Sequence, residues 1–167
     1  MPVTPELFRS ALSRFASGVT VVTTKDAAGN PHGITVSAFC SVSLDPPMVL
    51  ICIEKTTGSH YAFPESGRFV VNILNADQKN ISERFASPFD DKFDGIDLTM
   101  NVDGIAVLSG CLGILECRVR HAFDGGDHSI FVGEVEHASA AEGDPLIYFR
   151  GNYFRVGDAA EGERDAE

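Results

Sequence analysis

Val19-Thr20-Val21-Val22-Thr23-Thr24, the turn cluster Asp26–Pro31, and the following stretch His32-Gly33-Ile34-Thr35-Val36-Ser37-Ala38-Phe39 decide the fold class. The first run is β-branched throughout, which suits a pleated strand rather than a helix. The second alternates in character, and the residues between are strong turn formers, so the pair reads as a β-hairpin. Upstream, Thr4–Gly18 has the marks of a helix: Thr4 as cap, Pro5 at the first turn, Glu6 against the dipole and Gly18 as a stop. Leu7, Phe8, Ala11, Leu12 and Phe15 recur at helical spacing and form one apolar face.

Downstream, Asp45-Pro46-Pro47 breaks the chain before an apolar strand, Met48–Ile53. A hydroxyl-rich turn, Thr56-Thr57-Gly58-Ser59, leads to a short helical stretch near His60–Ser66 and a strand over Arg68–Leu74. A helix is predicted over Ala76–Ala86, then a long acidic loop over Ser87–Asn101. Strands follow at Ile105–Leu108, Cys111–Phe123, His128–Ala138 and Leu146–Val156. Short strands joined by hairpins, with a few helices, predict a mainly β protein built as a closed antiparallel barrel. The alternation of strand and helix that a doubly wound nucleotide-binding domain requires is missing, as are GxGxxG and the P-loop.

The chain has 167 residues, 13 basic against 24 acidic, for a net charge of −11, and 44% of it is hydrophobic. That length suits one domain over 1–156, followed by an acidic, disordered tail over 157–167 with five acids against Arg164. The acidity argues against nucleic-acid and anionic-membrane partners, because both need a basic surface. It does not exclude one phosphate in a pocket. No apolar run approaches the ~20 residues of a bilayer span, and Cys40, Cys52, Cys111 and Cys117 form no CxxC pair. A reduced, cytoplasmic protein is expected. Asp90, Asp91, Asp94 and Asp97 lack the glycine and terminal glutamate of a calcium loop, so no metal site is expected.

Four groups of residues could carry chemistry. On the strand around Gly33, small residues let a flat ligand approach the backbone, and Thr35, Ser37 and Ser41 offer hydroxyls. A half-buried strand with solvated hydroxyls explains the same pattern. Lys55-Thr56-Thr57-Gly58-Ser59 gathers a cation, three hydroxyls and a glycine, which suits a phosphate and equally suits a plain turn. His128, beside Asp127 after a turn, could donate to a ligand near neutrality, though an exposed turn histidine is the commoner case. Tyr148, Phe149, Tyr153 and Phe154 could stack on a ring or simply fill a core.

Taken together, these stretches resemble the short-chain flavin reductases, the reductase components of two-component flavin monooxygenases. The match runs from Phe15-Ala16-Ser17-Gly18-Val19-Thr20 through His32–Phe39 to Ser43-Leu44-Asp45-Pro46-Pro47. It continues in Gly126-Asp127-His128 with Gly133-Glu134-Val135, and in Phe149-Arg150-Gly151-Asn152-Tyr153. The resemblance implies a flavin-binding split barrel, a six-stranded antiparallel Greek-key barrel working as a homodimer.

It also implies an activity: NAD(P)H:flavin oxidoreductase, passing hydride from nicotinamide C4 to flavin N5 and supplying reduced FAD or FMN to a partner monooxygenase. NADH is the implied donor, with NADPH as the alternative. Flavoproteins with tightly bound flavin that reduce another acceptor such as ferric iron, and non-catalytic flavin- or haem-binding split barrels, are the rival readings. By this resemblance the isoalloxazine lies along Thr35, Val36, Ser37 and Ala38, with Ser41 near the ribityl chain. Lys55, Thr57 and Ser59 match the phosphate turn, and Arg84-Phe85 matches a flavin-contacting pair. His128 matches the histidine beside the nicotinamide, and Tyr153 helps shape that pocket. Gly58 and Asn152 depart from the family's usual pattern.

Overall fold

In the computed structural model, which describes residues 2–88 and 91–157, the β-branched run and its partner form the expected hairpin. In chain order the elements are α1 (Pro5–Leu12), β1 (Ser17–Gly18), β2 (Thr20–Lys25), β3 (Pro31–Val36), β4 (Phe39–Leu44), β5 (Pro47–Glu54) and α2 (Ala62–Ser66). They continue with β6 (Arg68–Ile73), α3 (Lys79–Ala86), β7 (Leu98–Met100), β8 (Ala106–Leu108), β9 (Gly113–Gly125), β10 (His128–Ala140), β11 (Ile147–Phe149) and β12 (Asn152–Phe154).

The main sheet runs β3-β2-β6-β9-β10-β5-β4, and every pairing is antiparallel. Its two outermost strands, β3 and β4, are consecutive in the chain and separated only by Ser37 and Ala38. A sheet whose edges are joined by two residues must curl until they meet, and that is how the barrel closes. Counting the bent β3–β4 segment once leaves six staves, the split barrel implied by the resemblance.

β2 is buried along Thr20–Thr24, which explains why its sequence does not alternate. Val22 enters the barrel interior with Val36, Ile51, Phe63, Phe69 and Phe131. Val21 faces a second cluster with Leu74, Phe85, Leu108 and Leu146. The buried threonines are all satisfied: the hydroxyls of Thr20, Thr23 and Thr24 donate to the carbonyls of Val36, Ala106 and Arg68 at 2.7, 2.6 and 2.7 Å. Burial pushes the Cys117 thiol up to about 12 and the Cys111 thiol up to about 11. Both are inert thiols at neutral pH.

Three expectations are corrected. The first helix ends at Leu12 rather than Gly18, because Arg150 N–H caps the Ser13 carbonyl at 3.1 Å and Ser17–Gly18 pair with Tyr148 and Ile147. Tertiary pairing outweighs local helix preference there. The final segment 146–156 is a hairpin rather than one strand: Arg150 and Gly151 both have positive φ, 51° and 80°, as a two-residue turn of this hand requires. The acidic loop contains a strand, β7, that pairs with β8. Asp90 and tail residues 158–167 lie outside the described residues.

The α1 face does not join the core: Leu7, Phe8 and Leu12, with Phe15 just beyond the helix, are all exposed, Phe15 by 79%.

The β2–β3 turn is held by Asp26, whose carboxylate accepts from the Asn30 backbone N–H at 2.8 Å and the Asn30 amide at 2.9 Å. The Asn30 side chain is the largest cause holding this carboxyl down, from 3.8 to about 2. A depressed folded-state value adds stability above the ordinary carboxyl range that is lost as the folded state also protonates. Denaturation midpoints should therefore fall between about pH 4 and pH 2, and Asp26→Asn should flatten that part of the profile. The same acid slope in the variant would contradict the assignment.

Candidate functional site

Two cavities adjoin along β3. The larger, about 450 Å³, lies between Pro31–Ile34, the Thr56–Ser59 turn, the end of α3 at Phe85 and Ala86, and the loop carrying Lys92 and Phe93. The smaller, about 210 Å³, is lined by Val19, Thr35, Ser37, Ser82, Tyr148 and Tyr153. Ala86 lines both, so the two cavities adjoin there.

Gly33 sets this geometry. A Cβ built on it would lie 2.6 Å from Phe85 Cε1 and 3.1 Å from Phe93 Cζ. Only glycine lets α3 press this closely on the strand. Phe85 is buried, and Phe93 packs edge-on against it with ring centroids 5.0 Å apart. Two residues on, the Thr35 hydroxyl donates to the Ser82 carbonyl at 2.6 Å, tying β3 to α3 a second time.

The smaller cavity is a fixed aromatic slot. Tyr153 hydroxyl and Ser82 Oγ share a hydrogen bond of 2.8 Å, and the Tyr148 ring stands edge-on to Tyr153 at 5.4 Å. In the larger cavity the turn is wound on itself: Thr57 Oγ1 donates to the Glu54 carbonyl at 2.9 Å, and Ser59 Oγ donates to the Gly33 carbonyl at 3.4 Å. Thr56, Gly58, Pro31 and Pro88 on its rim are exposed, so the cavity opens to solvent.

Of the residues picked from sequence, Thr35, Ser37 and Tyr153 meet in the smaller cavity, and Thr57, Ser59 and Phe85 in the larger. Val36 turns its side chain into the barrel core. Ala38 is exposed at the β3–β4 bend, where its carbonyl accepts from Cys52 N–H at 3.1 Å. Ser41 is exposed on β4, and Ser41, Lys55, Arg84 and His128 line neither cavity.

Lys55 is engaged elsewhere. Its ammonium pairs with Asp124 and donates to the Gly126 carbonyl at 2.6 Å, and the Lys55 hydrogen bond is the first cause holding the Asp124 carboxyl below its usual range. Arg84 braces the acidic loop, donating to the carbonyls of Asp91 and Asp94 at 3.2 and 2.6 Å. His128 opens β10 opposite Glu54, with Nδ1 2.7 Å from Asp127 Oδ1. That contact is the main reason the Asp127 carboxyl sits below its usual range.

Ser82, Ala86, Lys92 and Phe93 are among the lining residues that sequence reading passed over. Lys92 carried a signal, as a cation inside a run of aspartates.

The sequence matches the Flavin reductase like domain over residues 12–157. The chain belongs to this flavin reductase family. It is 45% identical over 148 residues to the FMN reductase (NADH) SmoA of Agrobacterium fabrum, covering 89% of this chain and 84% of that protein. It is 41% identical over 154 residues to the flavin-dependent monooxygenase reductase subunit HsaB of Mycobacterium tuberculosis, covering 90% and 82%. Another relative, from Rhizobium meliloti, is longer: identity is 39% over 166 residues, and this chain spans 53% of its length. Among solved structures of the family, the NADH:FAD oxidoreductase SgcE6 of Streptomyces globisporus, in complex with NAD and FAD fragments, superposes with a TM-score of 0.89 at 33% identity. That match covers 96% of this chain and 99% of SgcE6.

The close approach at Gly33 gives this site a direct test. Gly33→Ala should lower unfolding free energy by about 1–3 kcal/mol, the usual cost of overpacking, and should weaken flavin binding by displacing Phe85. A variant with unchanged denaturation midpoint and unchanged flavin affinity would contradict the geometry.

Proposed function

We propose that the protein is an NAD(P)H:flavin oxidoreductase that supplies reduced FAD or FMN to a separate monooxygenase. The observation that carries this reading is the adjacency of the two cavities, which share Ala86. One half is a narrow slot walled by Tyr148 and Tyr153, the other a wider chamber edged by the hydroxyls of Thr57 and Ser59. A flat ring joined through a polyol chain to a phosphate has that same division. The names of the relatives SmoA and HsaB support the reading, as does the nicotinamide and flavin content of the SgcE6 complex.

Flavin, when bound, accepts the hydride of a reduced nicotinamide, and the protein's contribution is to hold the two rings in register. Ser82 fixes the Tyr153 hydroxyl and so the wall of the slot. Thr35 and Ser37 present polar groups along the strand edge. The chamber's exposed rim suits a flavin that enters and leaves as a substrate rather than one held permanently. His128 is the residue we assign beside the nicotinamide: Asp127 holds its Nδ1, and Nε2 has no hydrogen-bond partner among the described residues.

A steady-state assay crossing NADH and NADPH with FAD, FMN and riboflavin tests the reading. Flavin-dependent oxidation of NADH, faster than of NADPH, is expected. No oxidation of either nucleotide above the blank with any flavin would overturn it.

We also assign a homodimer. The exposed Leu7, Phe8 and Leu12 of α1 form an apolar face that a single chain leaves in water, and a second copy would cover it. Light scattering should return twice the chain mass, and Phe8→Asp should shift it toward one. A monomeric wild type would contradict this assignment.

A further inference from the structure

We propose that Lys92, rather than Lys55, is the cation that holds the flavin phosphate. The inference rests on the reductase reading of the same site and adds which residue recognises the ligand's charge.

Lys92 lines the larger cavity, where its Nζ donates to the carbonyls of Phe85 at 3.0 Å and Gly33 at 3.4 Å. The second of these carbonyls is also the acceptor for Ser59 Oγ, at the same 3.4 Å. An ammonium from the loop after α3 and a hydroxyl from the turn after β5 therefore converge on one oxygen of β3. Their separation is at most twice that distance, a span that a phosphate bridges. Both bonds to Gly33 are at the long limit for hydrogen bonds, so a phosphate oxygen is a better acceptor for either donor.

Among the described residues the charge at this place has no counterpart. An ammonium has three donors; two of those on Lys92 go to neutral carbonyls, and no carboxylate among the described residues pairs with it. Burial holds the Lys92 ammonium below the usual lysine range, as expected for a desolvated charge that lacks an anion. Lys55 is the opposite case, already paired with Asp124 on the β9–β10 hairpin.

The loop is also held so that Lys92 cannot simply swing away. Arg84 grips the carbonyls of Asp91 and Asp94 on either side of it, and Phe93 is seated against Phe85. Arg84, which does not line the cavity, is in this proposal a positioning residue for Lys92.

Riboflavin lacks the phosphate that FMN and FAD share, and it provides the discriminating probe. In NADH-driven turnover, Lys92→Met should raise KM for FMN about tenfold or more, as loss of a charge-assisted contact implies. KM for riboflavin and kcat should stay within about twofold, Lys92→Arg should recover most of the FMN affinity, and Lys55→Met should leave the FMN-to-riboflavin ratio unchanged. Fluorescence-quenching titration of both flavins reads the same selectivity without turnover. An equal loss for FMN and riboflavin, no loss in Lys92→Met, or a phosphate-selective loss in Lys55→Met would overturn the proposal. Wild-type protein that binds FMN through Lys92 yet oxidises no nicotinamide would overturn the reductase reading and leave this one standing.

Discussion

The absence of a side chain at Gly33 is the constraint on which the site depends. Because nothing projects from that residue, Phe85 lies directly on β3, and α3 follows it onto the outside of the barrel. The end of α3 then becomes one wall of a cavity whose floor is the strand itself. The Gly33 carbonyl, left facing that space, becomes the acceptor on which Ser59 and Lys92 meet. A methyl group at this position would push the Phe85 ring off the strand and disturb the wall that α3 supplies. The second link, from Thr35 to the Ser82 carbonyl, extends the same contact to the aromatic slot.

The few cations of this acidic chain are spent in different ways. Lys55 and Arg84 each serve geometry: one ties the hydroxyl turn to the neighbouring hairpin, the other fixes the loop beyond α3. Lys92 is half-buried and lines the cavity, and its partners among the described residues are neutral carbonyls. A surface charge paired in water contributes little to recognition. A desolvated one without an anion is where an incoming phosphate gains most.

Much of the fold could be read in the sequence because β2, β3, β5, β9 and β10 announce themselves by composition and by the turns between them. Thr20–Thr24 is β-branched because both its faces are buried, a condition that local pattern reports well. What failed was decided at a distance. Ser17–Gly18 leaves the helical pattern only because β11 offers hydrogen bonds to it, and the hairpin within 146–156 hinges on positive φ at Arg150, a residue type that gives no warning of it. In the site, the residues contributed by β3 and the turn were legible, since small and hydroxyl side chains stand out on a strand. Ser82 was not, because its value comes from the phenol the fold places beside it. Lys92 stood out only as a cation among aspartates, with nothing in the sequence to say which carbonyls it would meet. Lys55 was chosen for its neighbours in sequence, and its true neighbour is Asp124, 69 residues away.

In the proposed complex a flavin lies along β3 with its ring against Tyr148 and Tyr153 and its phosphate between Ser59 Oγ and Lys92 Nζ, the two donors that meet at the Gly33 carbonyl. A crystal structure of the protein soaked with FMN tests this most directly. Phosphate density between the Thr57–Ser59 hydroxyls and Lys92 Nζ, with the ring in the slot beside Thr35, is the expected result. Phosphate density at Lys55, or a ring bound outside the Tyr148–Tyr153 slot, would contradict it.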